Sequence, residues 1–179
     1  MDAMDIKEYI ELWKMIIMNP QKFFQEWDQS EDWTRVLLLN AICGLLAGIL
    51  LTIFTLGGGV LAIVMYPIGL IIGTFISGAI YYLCFKLLGG TGEIESTIKM
   101  VGYTNAISLV SLGVPIIGSI LGLYQIWLLI VGGKVVHKLD TGKSAIAVII
   151  PLVLCCLIPI IVFGMTVGLG FFTALMGQG

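Results

Sequence analysis

Three stretches of this 179-residue chain carry no Asp, Glu, Lys or Arg: 36–85, 100–133 and 144–179, of 50, 34 and 36 residues. A helix crossing about 30 Å of hydrocarbon needs about 20 consecutive apolar residues. Runs of this length are built for a bilayer. An ordinary soluble domain is about 25% charged, whereas this chain is 11% charged and 59% hydrophobic, with a mean hydropathy of +1.07. That balance excludes a soluble enzyme and a disordered tail. The net charge of −2 and pI near 5.2 remove the basic surface that a nucleic-acid partner requires.

The runs divide at turn signals. Gly57-Gly58-Gly59 splits the first into spans 36–56 and 60–85, and Gly113-Val114-Pro115 splits the second, since proline cannot continue the helical ladder. Thirty-four residues are short for two crossings and a turn. Either that hairpin stops within the membrane, or it borrows residues 94–99 and lets Lys99 snorkel to the surface. The third run reads as one span, 144–170, with Pro151 and Pro159 as kink sites. The expected fold class is an all-α integral membrane protein. Its domains are a cytoplasmic amphipathic helical region, 1–33, and a five-span bundle, 34–179, with spans at 36–56, 60–85, 96–112, 115–133 and 144–170.

Sidedness follows from the rule that Lys and Arg stay cytoplasmic. With five spans and a cytoplasmic N-terminus, all nine Lys+Arg residues and all eleven acids fall inside. Merging the third and fourth spans would send Lys134, Lys138 and Lys143 outside. The expected setting is the plasma membrane, with the C-terminus outside.

Residues 1–33 start acidic and lack the apolar core of a cleaved leader. Ile6, Tyr9, Ile10, Trp13, Ile16 and Ile17 form one helical stripe. Asn19-Pro20 restarts the chain, Asn as an N-cap and Pro at the first helical position. Phe23, Phe24 and Trp27 follow on one side, and Ser30-Glu31-Asp32 reads as the cap and acidic first turn of the first span. The region carries three Lys against eight acids, a net −5, which an anionic lipid surface repels. Packing of Trp13, Asn19, Pro20, Phe23, Phe24 and Trp27 on the protein's own bundle is the preferred reading, with docking of a partner the second.

Polar residues inside a membrane are functional pointers. Tyr103, Asn105 and Ser108 form such a patch in the third span, and Asn105 and Ser108 share a helix face. The patch suits a solute path or a headgroup site; hydrogen bonding to a neighbouring helix is the commoner use. Lys134, His137 and Lys138 cluster at the end of the fourth span, a charge-rich helix end able to hold a lipid phosphate or contact a partner. A lone histidine has no second metal ligand, so no metal and no cofactor are expected. Cys43, Cys84, Cys155 and Cys156 lie in spans without metal-site spacing. Gly89-Gly90-Thr91-Gly92-Glu93 lacks the Gly-Lys-Ser/Thr ending of a phosphate loop. GxxxG pairs at Gly44/Gly48, Gly69/Gly73, Gly118/Gly122 and Gly164/Gly168 barely exceed chance; they indicate close internal packing first and admit a homo-oligomer.

Several features in order resemble the Yip domain family of small polytopic membrane proteins. These are Asn19-Pro20 with Phe23-Phe24; Leu87-Leu88-Gly89-Gly90 with Gly92; Gly102-Tyr103; and Trp127, Gly132-Gly133, His137 and residues 141–145. The resemblance implies a cytoplasmic N-terminus and five spans. In eukaryotic members it implies vesicle trafficking and binding to Rab-type GTPases. The chain departs from many relatives at Asn105-Ala106, where they carry a proline shortly after the tyrosine. The short N-terminal region is similar to prokaryotic members. Two functions follow as expectations. One is a non-enzymatic, membrane-organising or partner-binding scaffold, with the lipid bilayer and a protein on the cytoplasmic face as partners. The other is a pore, permease or lipid-moving protein using the polar patch of the third and fourth spans.

Overall fold

The computed structural model describes residues 6–155 and 157, and every regular element among them is helical. Helix α1 (Ile6–Met18) is amphipathic. Leu12 and Ile16 are buried, whereas Ile10 is exposed, so the inward stripe is rotated from the expected one. The chain turns at Asn19 into α2 (Pro20–Glu26). Asn19 holds the N-cap position and its carbonyl accepts from Phe23 N–H at 3.0 Å, but its side chain caps nothing.

Helix α3 (Trp33–Phe54) is capped by Asp32, which accepts from Thr34 N–H. The expected acidic cap of three residues is thus one residue. Ser30 bonds back to Asp28, and Glu31 turns inward. After α3, Leu56 and Gly57 both adopt positive φ, and Gly57 N–H reaches back to Thr52 O at 2.8 Å. This closes the end of α3 with a left-handed turn. Helix α4 (Ala62–Leu87) returns antiparallel. A Cβ on Gly44 would lie 2.6 Å from Pro67 N, and one on Gly48 would lie 2.6 Å from Ala62 O. The two backbones touch there because neither glycine has a side chain. Outward, α3 and α4 expose Leu45, Ile49, Ile53, Ile68, Ile72 and Ile76.

The expected third span is three pieces: α5 (Ile94–Thr104), a 3-10 turn (Asn105–Ile107) and α6 (Ser108–Ser111). It does begin at Ile94, but Lys99 does not snorkel. Its side chain is 1% exposed, held by Glu95 at 2.7 Å and lying over the Trp33 ring at 5.1 Å. Desolvating a lone ammonium costs several kcal/mol, so a local carboxylate and an aromatic face take the place of water. Residues 99–108 are all buried. This segment is the axis of the bundle, packed by α3, α4 and α7. Its modest hydropathy reflects protein neighbours rather than lipid.

Helix α7 (Pro115–Val136) starts with proline at its first position. The turn before it packs on α3: a Cβ on Gly113 would lie 3.0 Å from Leu50 Cβ. Leu50 is four residues before the end of α3, about 6 Å by helical rise. Helix α8 (Thr141–Cys155) follows. The remainder of the expected last span, with Pro159 and Gly164/Gly168, lies outside the described residues. Helices α3 and α4 are long and apolar enough to cross a membrane; α7 and α8 contribute shorter apolar stretches, 120–136 and 141–155.

Candidate functional site

Four elements bring one polar side chain each to the centre of the bundle. Asn40 comes from α3, Thr74 from α4, Asn105 from the 3-10 turn and Gln125 from α7. Asn105 Nδ2 donates to Asn40 Oδ1 and to Thr74 Oγ1, both at 2.9 Å, and Gln125 Nε2 donates to Asn105 Oδ1 at 2.9 Å. Asn40 Nδ2 donates to Val36 O at 2.7 Å and Gly102 O at 3.0 Å. Thr74 spends its own hydrogen on Leu70 O at 2.7 Å. Both donors of each asparagine are therefore engaged, and each amide oxygen accepts. The close approach that permits this comes from Gly102, where a Cβ would strike Val36 Cγ2 at 2.4 Å.

Asn105 is legible in the sequence as a polar residue of an apolar run; Asn40, Thr74 and Gln125 join it only through packing. Asn40 lies in the first charge-free run and was a readable signal of the same kind. Thr74 and Gln125 had no signal beyond polarity. The patch Tyr103, Asn105 and Ser108 does not stay together. Ser108 is buried as the first residue of α6, directly after the 3-10 turn. Tyr103 points the other way, to the N-terminal helices.

There the Tyr103 ring meets Phe23 at 5.0 Å and Trp27 at 5.4 Å, both edge-on. Its hydroxyl donates to Glu31, as does the Trp27 indole. Arg35 meets the other Glu31 oxygen at 3.4 Å, and Lys99 Nζ donates to the Glu31 carbonyl. Glu31 thus ties α2, α3 and α5 together, a role no local sequence pattern announced. Phe24 is 1% exposed, T-shaped against Phe23 and Trp27. Trp13 Nε1 donates to Ala106 O at 2.8 Å, and Tyr124 hydroxyl donates to Ile17 O. Pro20 is buried, while Asn19 remains exposed. Trp13, Phe23, Phe24 and Trp27 are all engaged with the bundle.

Lys134, His137 and Lys138 do not converge. His137 is fully buried and stacked on Phe85 at 4.5 Å. It offers no edge to a headgroup, and that expectation is corrected for this residue. Lys138 is exposed, with φ +54, because it closes the end of α7: Leu139 N–H reaches Lys134 O at 3.2 Å. The His137 tautomer is dictated by Thr97. Thr97 Oγ1 donates to Glu93 O at 2.7 Å, so its oxygen accepts from His137 Nε2 at 2.8 Å. Nδ1 is left as a buried lone pair without a partner, facing Gly90 and Gly92. Burial, with Lys86 adding repulsion, pushes the ring pKa down to about 4. The ring is neutral at physiological pH. Among the described residues, no three His, Cys, Asp or Glu side chains gather as a metal site would require.

Among the described residues the helices and contacts define an all-helical protein with two helices long and apolar enough to cross a membrane, whose central polar groups bind one another. The chain matches the Yip1 domain over residues 13–176, nearly its whole length, and belongs to that family. No curated protein and no solved structure matches it.

Proposed function

We propose that this protein is a non-enzymatic, multi-pass scaffold of the plasma membrane, organising the bilayer or holding a protein partner at its cytoplasmic face. It crosses five times, N-terminus inside and C-terminus outside. The observation that carries the reading is the closure of the seam through Asn40, Thr74, Asn105 and Gln125. A polar group that feeds a solute path needs free donors or acceptors, and the two asparagines have their donors filled by protein. The seam joins helices instead. Recognition then falls to the cytoplasmic surface, where the charges lie. Membership of a family associated with membrane trafficking agrees with this.

Crosslinking in native membranes followed by affinity capture is expected to recover a specific protein partner. Recovery of abundant membrane proteins alone would overturn the partner-binding reading. Reconstitution into liposomes is expected to give no solute flux above empty vesicles; specific flux would restore the pore.

A further inference from the structure

A groove of about 470 Å³ runs between α1, α2 and the start of α3. Its floor is apolar, formed by Leu12 and Met15 from α1 and by Phe23 and Trp27 beyond them. Its rim is acidic. Glu8 and Glu11, three residues apart on one face of α1, stand opposite Glu26 and Asp28. Glu8 and Glu11 are exposed, as are Glu26 and Asp28. The cation on the groove wall is Arg35, and Glu31 already meets it at 3.4 Å. Lys22 lies outside the groove but reaches the rim at Glu26, 3.9 Å away; Lys7 and Lys14 line no part of it.

We propose that this groove seats a cationic amphipathic segment of a partner protein, with Lys or Arg on the rim and an aromatic or aliphatic side chain on the floor. The proposal rests on the partner-binding reading above and names the chemistry of that partner. Charge decides the occupant. An anionic lipid surface carries the same sign as the rim and is repelled. Residues 1–5 bring Asp2 and Asp5, again the wrong sign, and residues 158–179 contain no cation at all. The floor adds a requirement that a simple polycation does not meet, because an apolar groove gains most from an anchored side chain.

The test uses the full chain in discs of zwitterionic lipid, with empty discs subtracted. Three short labelled peptides are compared by fluorescence anisotropy. One is Lys-rich with Leu and Phe, one has Glu in place of Lys, and one keeps Lys but has Ser in place of Leu and Phe. The first is expected to bind about tenfold more tightly than either control, and to weaken about tenfold as salt screens the rim. The double variant Glu8→Gln/Glu11→Gln, checked by its melting temperature to be folded, is expected to weaken it about tenfold. Equal binding by the variant, or by the acidic peptide, overturns the proposal. A dimer that Glu8→Gln/Glu11→Gln dissociates, measured by sedimentation, also overturns it, since a second copy with its own lysines would then be the occupant. Affinity capture separates the two readings. Partners recovered unchanged by the variant sink the groove and leave the partner-binding reading; no partner recovered with the native chain sinks the partner-binding reading itself.

Discussion

Trp13 Nε1 donates to the carbonyl oxygen of Ala106 at 2.8 Å, joining the N-terminal helix to the 3-10 turn in the middle of the bundle. Where the helical ladder tightens to three-residue spacing, at Asn105–Ile107, carbonyls change partners and one is reached from outside the helix. Ala106 itself is completely buried. Helix α1 is therefore part of the bundle and not a free arm. Trp13→Phe keeps an aromatic ring, smaller than the indole, and removes the donor. It is expected to cost on the order of 1–3 kcal/mol, since the buried Ala106 carbonyl then keeps the weak Cys43 thiol donor at 4.0 Å in place of the indole. A lowered melting temperature in detergent, with α1 more open to protease, would bear this out; an unchanged melt would show the bond to be dispensable.

Asn105 is the hub of the seam, so its replacement should cost more than that of any spoke. Asn105→Ala releases acceptors on Asn40 and Thr74 and a donor on Gln125. Pairwise hydrogen bonds between membrane helices average about 0.6 kcal/mol; three lost together should give roughly 2 kcal/mol. Thr74→Val removes one acceptor and should cost under about 1 kcal/mol. Thermal denaturation of the two variants and of the double variant gives their coupling. Equal losses from Thr74→Val and Asn105→Ala would contradict the hub.

The GxxxG pairs differ in what they face. A Cβ added at Gly44 or Gly48 would lie 2.6 Å from the backbone of α4, whereas one added at Gly69 or Gly73 would have nothing within 4 Å. Gly44→Leu is expected to pry α3 from α4 and abolish the monodisperse peak in size-exclusion chromatography. Gly69→Leu should leave that peak and the melting temperature unchanged. If the Gly69 variant instead lost a dimer, the outward pair would be an oligomer face.

His137 gives the protein an acid sensitivity. The folded ring stays neutral down to about pH 4, whereas an ordinary histidine takes up its proton near 6.5. Between those values the unfolded chain binds a proton that the folded chain refuses, so stability falls as pH drops from 6.5 towards 4. The full loss is on the order of 3 kcal/mol and is absent above 6.5. His137→Gln keeps a donor towards Thr97 and does not titrate. Its melting temperature is expected to be flatter over that range. Parallel pH profiles of the native protein and the variant would place the sensitivity elsewhere.

Single cysteines in a chain first stripped of its native ones test the topology. Gly58→Cys and Val114→Cys should react with an impermeant thiol reagent from outside. Thr91→Cys and Thr141→Cys, both at exposed positions, should react only after the membrane is opened. The basis is the cost of carrying Lys and Arg outward, all nine of which the proposed topology keeps inside. External labelling at residue 141 would sink the five-span arrangement. Protection at 114 alone would mean that the tip beside Leu50 stops short of the far surface.

The sequence by itself determined the helical class, the hairpin of α3 and α4 with its glycine turn, the start of α7 at Pro115 and the split of the N-terminal region at Asn19. These are local or compositional: hydropathy run length, a residue without a side chain, a residue without an N–H. Even the presence of Asn105 as a polar residue at depth was readable. Its meaning was not, because Asn40, Thr74 and Gln125 lie 65, 31 and 20 residues away and only packing brings them together. The same holds for Lys99 and His137. Each looks like an interfacial cation in one dimension, since charge near a span end ordinarily reaches water. Glu31, Glu95 and Trp33 around the one, and Phe85, Thr97 and the Gly90–Gly92 turn around the other, make burial cheaper than exposure there. That balance depends on which surfaces the bundle presses together, and only the tertiary structure decided it.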